Sequence, residues 1–300
     1  IYISDDSHSK IIVFDKDMKI TGSIGRYGNG PDEFPNAPYL SKKSDALVVW
    51  SRARSKYILY NERNEKIKEI LLDPQYYYTV TEPVFINNKI VIAASKTAIR
   101  DLKKQLNDDF TTALIANDNG YIEKRFDRLL SDYMKNSDLT FYNLSTTADV
   151  IEGFNNTIFV HQEATYKLKQ YDKDGNYIRT LEYKPRYYVG PPELKLGNEP
   201  QDMDAIYEKY YTKQTYFSKL VYDKKSDLIY MNYRTLHRYQ YQTRSFLDAD
   251  NNLLVFNNKD EVIYDEKIEG YLVSVDNGYA YFLNEESPQR IVILKYKIEM

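Results

Sequence analysis

Runs of four to seven β-branched and aromatic residues recur in sets along the chain, each set broken by polar turns. The first set is Ile1-Tyr2-Ile3-Ser4-Asp5, then Lys10-Ile11-Ile12-Val13-Phe14-Asp15, then Lys19 to Gly25 after the turn Lys16-Asp17-Met18. Runs of this length, bounded by Asp, Asn and Gly, read as strands and not as helices. Recurrence of one such set along the sequence is the mark of a repeat architecture.

The set returns five times. Asp45 to Trp50 leads to Lys56 to Tyr60 and then Lys66 to Leu71. Asn88 to Ala93 leads, past an insertion, to Thr112 to Ala116 and Tyr121 to Phe126. Asn156 to Val160 leads to Tyr166 to Tyr171, and Asp172-Lys173-Asp174-Gly175 turns the chain into Tyr177 to Leu181. In that turn Asp bonds its own backbone and Gly accepts positive φ. A looser fifth set holds Asp227 to Met231, Leu253 to Phe256 and Val262 to Asp265; the sixth holds Leu272 to Val275, Tyr279 to Leu283 and Ile291 to Tyr296. The expected fold is an all-β six-bladed β-propeller of four-stranded blades, forming a single domain over residues 1–300. A seven-bladed ring, splitting the fifth set, is the structural alternative. With strands labelled A to D from the axis outward, the first set supplies B, C and D and the last A, B and C. Strands upstream of Ile1 are therefore expected to complete both blades and close the ring, which removes exposed sheet edges.

Composition agrees with this. The 31 Tyr against 12 Phe and one Trp suit pleated, half-buried surfaces with one dry and one wet end. The net charge of −3 offers no attraction to nucleic acid or an anionic membrane. The chain has no Cys, which excludes disulfides and Cys-based zinc sites. No apolar run approaches the roughly 20 residues that span a bilayer.

After the first set comes Gly25-Arg26-Tyr27-Gly28-Asn29-Gly30-Pro31-Asp32-Glu33-Phe34-Pro35. Its Gly-x-Gly-Pro-x-Glu-Phe core, with Val13-Phe14-Asp15 and Ile1 to Asp5, resembles the NHL-like six-bladed propellers, and most of all the propeller lipoproteins of Bacteroidetes-type bacteria. The resemblance implies export and a periplasmic or outer-membrane-anchored location, with a lipid anchor upstream, and it implies no particular activity. Physically, the segment is expected to be an interblade turn whose glycines permit positive φ. It is not a phosphate loop, since it lacks the Lys-Ser/Thr ending and no helix follows it.

Strands that alternate in direction put A–B and C–D turns at one pole and B–C and D–A connections at the other. The long insertions Lys96–Asp108, Arg128–Ser145, Lys184–Lys213 and Thr235–Asp250 all fall in the second group, so one pole is elaborated. Long loops in compact domains often carry function. Helical spacing of Met203, Ile206 and Tyr210 predicts a short helix over Gln201–Lys213, docked by that stripe, and Ala98–Asn107 is a second candidate. Arg186-Tyr187-Tyr188-Val189-Gly190-Pro191-Pro192 is expected as an exposed loop carrying two rings.

Catalytic signatures are absent from the motifs. His8, His161 and His237 fall in different blades without metal-pair spacing, and there is no Gly-x-Ser-x-Gly elbow. The candidate ligand-binding residues are Arg52 and Arg54 in a short B–C connection, Arg234 in a comparable position after a B strand, His8 in a B–C loop, and Tyr76, Tyr77, Tyr187 and Tyr188. Arg presents a planar fork to carboxylate or phosphate, and interblade ion pairing is the alternative use. The expected function is a monomeric extracytoplasmic binding module without cofactor or metal, for a glycan, a peptide or an envelope protein. One alternative is an envelope polysaccharide lyase or hydrolase, with carboxylates such as Asp5 and Asp6 and Arg at the pore mouth. A structural scaffold is the other. Convergence of Asp5, Asp6, His8, Arg52 and Arg234 on one pocket separates the enzyme from the binding module.

Overall fold

The computed structural model describes all residues except 6, 44–45, 52–54, 74–76, 79–81, 96–110, 129–147, 163–164, 191–211, 213, 238–248, 277, 288–289 and 298–300. Blade one is β1 (Tyr2–Asp5), β2 (Lys10–Phe14) and β3 (Ile20–Ile24). Blade two is β4 (Tyr39–Lys43), β5 (Ala46–Ser51), β6 (Lys56–Tyr60) and β7 (Lys66–Leu71). Blade three has a split inner edge, β8 (Tyr77–Tyr78) and β9 (Val84–Ile86), both paired to β10 (Lys89–Ser95), followed by β11 (Thr111–Asn117) and β12 (Ile122–Arg128). Blade four is β13 (Ala148–Gly153), β14 (Thr157–Gln162), β15 (Lys167–Tyr171) and β16 (Tyr177–Glu182). Blade five is β17 (Thr215–Asp223), β18 (Leu228–Leu236), β19 (Ala249–Asn257) and β20 (Val262–Lys267). Blade six is β21 (Tyr271–Asp276), β22 (Tyr279–Ser287) and β23 (Arg290–Lys297).

Within each sheet the strands follow chain order and run antiparallel. The six sheets form a six-bladed propeller. The loose fifth set is one continuous sheet, β17 to β20, which removes the seven-bladed alternative. Helix among the described residues is one 3₁₀ turn, Phe154–Asn156. The two candidate helices, at 98–107 and 201–213, lie outside the described residues apart from Thr212.

The core lies between blades. Leu47 and Val49 of β5 join Ile11, Val13 and Phe34 on the blade-one side, while Val48 and Trp50 of the same strand join Ile90, Ile92 and Leu114 on the blade-three side. Further clusters bridge blades three and four, four and five, and five and six. A strand buried on both faces loses polar alternation and becomes a continuous apolar run. That is why the B and C strands stood out in the sequence: β6 is buried at every residue, whereas the outer strand β7 is mostly exposed.

One turn closes the C–D hairpin of five blades. The side-chain oxygen of Asp15, Asn61, Asn117, Asp172 or Asn257 accepts the backbone N–H groups two and four residues on. Three residues on, Met18, Asn64, Gly120, Gly175 or Asp260 takes positive φ. A bulge follows in each ladder. This is an Asx turn feeding a bulge, which fixes hairpin register.

The Gly25–Pro35 segment is the β3–β4 connection, and its specific residues hold it shut. Phe34 is fully buried, and a Cβ on Gly25 would sit 2.1 Å from its ring. Glu33 accepts the Gly30 N–H at 2.6 Å and Arg26 Nε at 2.8 Å. That backbone bond first, then Arg26, holds the Glu33 carboxyl below the usual range.

Candidate functional site at the channel mouth

Antiparallel order fixes where the connections leave. Residues 96–110 and 237–248 join B to C, and 129–147 and 183–214 join D to A. All four depart from one pole. The hairpin stem of blade five is longer than the sequence indicated, since β18 runs to Leu236 and β19 begins at Ala249. Every inner strand enters from a D–A connection, so its first residues lie at this same pole.

Residues of the inner strands on the side of this pole line an axial cavity of about 290 Å³. Tyr39 and Ser41 come from β4, Glu82 and Pro83 from the approach to β9, Asp149 from β13, Ser218 and Lys219 from β17 and Tyr271 from β21, with Trp50 behind them. Blades two to six therefore each contribute. Lys219 Nζ contacts Glu82 Oε1 at 2.5 Å, with the lysine side chain 21% exposed. A register shift between Phe217 and Lys219 turns the chain locally at Ser218. Burial acts to lower the Lys219 pKa, but the Glu82 carboxylate outweighs it and the ammonium ends above its usual range. The Tyr271 hydroxyl donates to the Ser218 carbonyl at 2.8 Å. Burial raises its pKa, against the opposing pull of Arg234 and Lys219.

The expected site residues distribute unevenly about this mouth. Arg234 backs one wall of it without lining it: its guanidinium lies 5.7 Å from the centre of the Tyr271 ring, a cation–π contact. It sits inside β18 and not after it, because that strand continues to Leu236. His8 lies in the β1–β2 turn, its ring exposed and its Nδ1 2.8 Å from Asp5 Oδ2. Burial raises the Asp5 pKa, but the His8 ring and nearby backbone N–H groups outweigh it, leaving the carboxyl below its usual range. Neither Asp5 nor His8 lines the cavity. Arg52, Arg54, Tyr76 and Asp6 lie outside the described residues. Tyr77 forms β8 with Tyr78 on the inner edge of blade three.

Tyr187 and Tyr188 differ from the expected exposed rings. Both are half-buried and pack against the cluster between blades four and five. Tyr188 meets Tyr166 edge-on at 4.9 Å and tilts over Phe217, and burial pushes its hydroxyl up to about 12. Tyr187 lies beneath Lys267, 5.6 Å from its ring centre. The loop is held down because Asp265 accepts the Arg186 N–H at 2.7 Å and the Tyr183 hydroxyl at 3.3 Å. Val189 and Gly190 remain exposed.

Sequence reasoning missed Tyr39, Glu82, Asp149, Lys219 and Tyr271. The available signal was a charged residue or tyrosine in or just before each blade's inner strand, legible only once the inner strands themselves are located.

A second, larger hollow of about 830 Å³ lies on the flank between blades five and six, with Leu253, Val255, Tyr264, Phe282 and Tyr296 among its walls. It is mostly apolar and lies on the outer flank, away from the axial residues.

The fold and this axial cavity define a six-bladed propeller with a polar, enterable channel mouth. Solved structures of the same architecture span nearly the whole chain. A DUF4221-family protein from Bacteroides vulgatus superposes with a TM-score of 0.63 at 14% identity, covering 99% of this chain and 89% of that one. A Bacteroides fragilis protein described as a candidate exported protein gives 0.54 at 12% identity, covering 94% and 76%. A streptogramin B lyase gives 0.51 at 12% identity, covering 100% and 79%. These likenesses carry the fold alone. No family model and no curated protein matches the chain. Among the described residues, no helix is long and apolar enough to cross a membrane.

Proposed function

We propose that this chain is an extracytoplasmic binding propeller that takes its ligand at the channel mouth on the elaborated pole. The observation that carries the reading is the axial cavity, where charged and aromatic groups from five blades meet at the end from which the long connections leave. Concave sites with a few convergent polar groups are the usual form of a binding site. Glu82 is engaged by Lys219, which suits a fixed recognition group better than a carboxyl that must trade protons.

The rim belongs to the same proposal. Arg52, Arg54, Tyr76, Tyr77 and His8 are assigned by this proposal to holding the parts of a glycan, peptide or envelope protein that extend beyond the cavity, with Arg234 behind Tyr271 and the half-buried Tyr187 and Tyr188 beside them. Export, a lipid anchor and membership of the NHL-like lipoproteins rest on the Gly25–Pro35 segment and on one fold neighbour being described as a candidate exported protein. The test is retention from envelope extract, beside a glycan array, by the wild-type chain and by Lys219→Met. Retention lost in the variant at an unchanged melting temperature supports the channel mouth. Retention unchanged by Lys219→Met removes it as the site.

A further inference from the structure

Resting on that reading, we infer that the axial cavity takes an uncharged, polyhydroxylated ring: a neutral sugar unit, in preference to an anionic sugar, a phosphate or a charged amino acid. Size is the first argument. A cavity of about 290 Å³ stands at the small end of ligand sites, which run from roughly 300 to 1,000 Å³. It admits one compact ring and excludes a folded peptide element, which would be confined to the rim.

Charge is the second argument. Glu82 and Asp149 at the mouth are balanced by Lys219 and Arg234, and the pairs are interleaved: Lys219 on Glu82, Arg234 over Tyr271, Asp149 facing both Lys219 and Tyr271. An anion entering to meet Lys219 also meets the Glu82 and Asp149 carboxylates in a narrow space, and a cation meets the Lys219 ammonium with Arg234 behind Tyr271. A hydroxyl carries no such conflict. It donates to a carboxylate and accepts from the ammonium, and both bonds are charge-assisted.

The third argument is a platform. Tyr39, the first residue of β4, lines the cavity and is 43% exposed, so it has ring surface free to lie against the apolar face of a sugar. Trp50, opposite it in the ladder, is only 2% exposed and belongs to the core.

The experiment is titration calorimetry on the full chain. The neutral probes are the methyl glycosides of glucose, galactose, mannose and N-acetylglucosamine. The charged probes are glucuronic acid, galacturonic acid and glucose 6-phosphate, with free lysine and glutamate. The variants are Tyr39→Ala and Lys219→Met, each checked by thermal melting. The expected result is binding of at least one neutral glycoside, weakened about tenfold by Tyr39→Ala and by Lys219→Met, with its acidic counterpart weaker still. Binding confined to charged probes and lost in Lys219→Met overturns the sugar class while leaving the channel mouth in place. Absence of any binding that depends on Tyr39 or Lys219 overturns both.

Discussion

His161 shows how a single buried side chain makes this fold sensitive to acid. It lies in β14, fully buried, with Nε2 2.6 Å from the Thr165 carbonyl and its ring edge-on to Phe217 at 4.7 Å. The bond to the Thr165 carbonyl favours a charged ring, but burial outweighs it and lowers the pKa from 6.5 to about 4, so the ring is neutral at neutral pH. The unfolded chain therefore binds the extra proton more readily than the folded one. The contribution is fully present above about pH 6.5 and is lost as pH falls through the interval down to about 4. It amounts to about 3 kcal/mol in total. Urea unfolding of wild type and His161→Gln between pH 7.5 and 4 measures it: wild type should lose more stability than the variant over this range. Parallel losses would attribute the acid sensitivity to carboxylates instead. Asp127 makes the complementary case of a buried carboxyl group satisfied by its partners. Its side chain is fully buried and accepts from Lys169 Nζ and the Tyr171 hydroxyl at 2.6 Å each, from Gln162 Nε2 at 3.0 Å, and from Thr112 Oγ1. Four donors on one carboxylate, drawn from blades three and four, make a structural anchor where β12 ends.

At the scale of elements, the capped hairpins are also the points where blades are tied together. Lys68, Lys124 and Arg179 each occupy the third place of an outer strand, and each reaches the C–D hairpin of the next blade. Lys68 Nζ meets Asp118 at 3.0 Å, Lys124 Nζ meets Asn176 Oδ1 at 2.7 Å, and Arg179 grips both oxygens of Asp260. Between blades one and two, where the third place is Gly22, the Tyr2 hydroxyl bonds Asn64 Oδ1 at 3.0 Å instead. The arginine link is the most directional, since its Nε is also fixed by Gln170 at 2.7 Å. Replacing Arg179 by Ala should cost about 1 kcal/mol, limited by partial exposure of the pair, and Arg179→Lys should restore little of it. Denaturant midpoints decide the matter, and a lysine variant equal to wild type would reduce the link to plain charge attraction. The strands that were legible in the sequence are the ones packed on both faces, such as β5, β6 and β14. The inner strands β4, β13 and β17 were not, because one edge of them faces a polar channel and breaks the apolar run with Ser41, Asp149 or Lys219. The site was illegible for the same reason: its residues sit on the elements whose pattern the channel disrupts. Arg234 was legible because it follows the apolar run Leu228–Met231; Tyr187 and Tyr188 pack between blades four and five, and Arg52, Arg54 and Tyr76 lie outside the described residues.

For the molecule as a whole, five apolar clusters each shared by two neighbouring blades leave no blade with a core of its own. Removing any of blades two to five from its neighbours would expose both of its faces, so the chain is proposed to melt as one unit over residues 1–300. Scanning calorimetry should give a single peak whose calorimetric and van't Hoff enthalpies agree. Two resolved peaks would divide the chain into separate domains.

The opposite pole has a practical use that follows from its tight, tied hairpins. Lys16 and Lys259 sit on Asx-capped turns as far along the strands as the chain travels from the channel mouth. A dye or tether attached there would leave the ligand's approach open. It would fasten the molecule to a chip in one orientation, mouth outward, and so turn the ring into a sensor of whatever arrives at the elaborated pole.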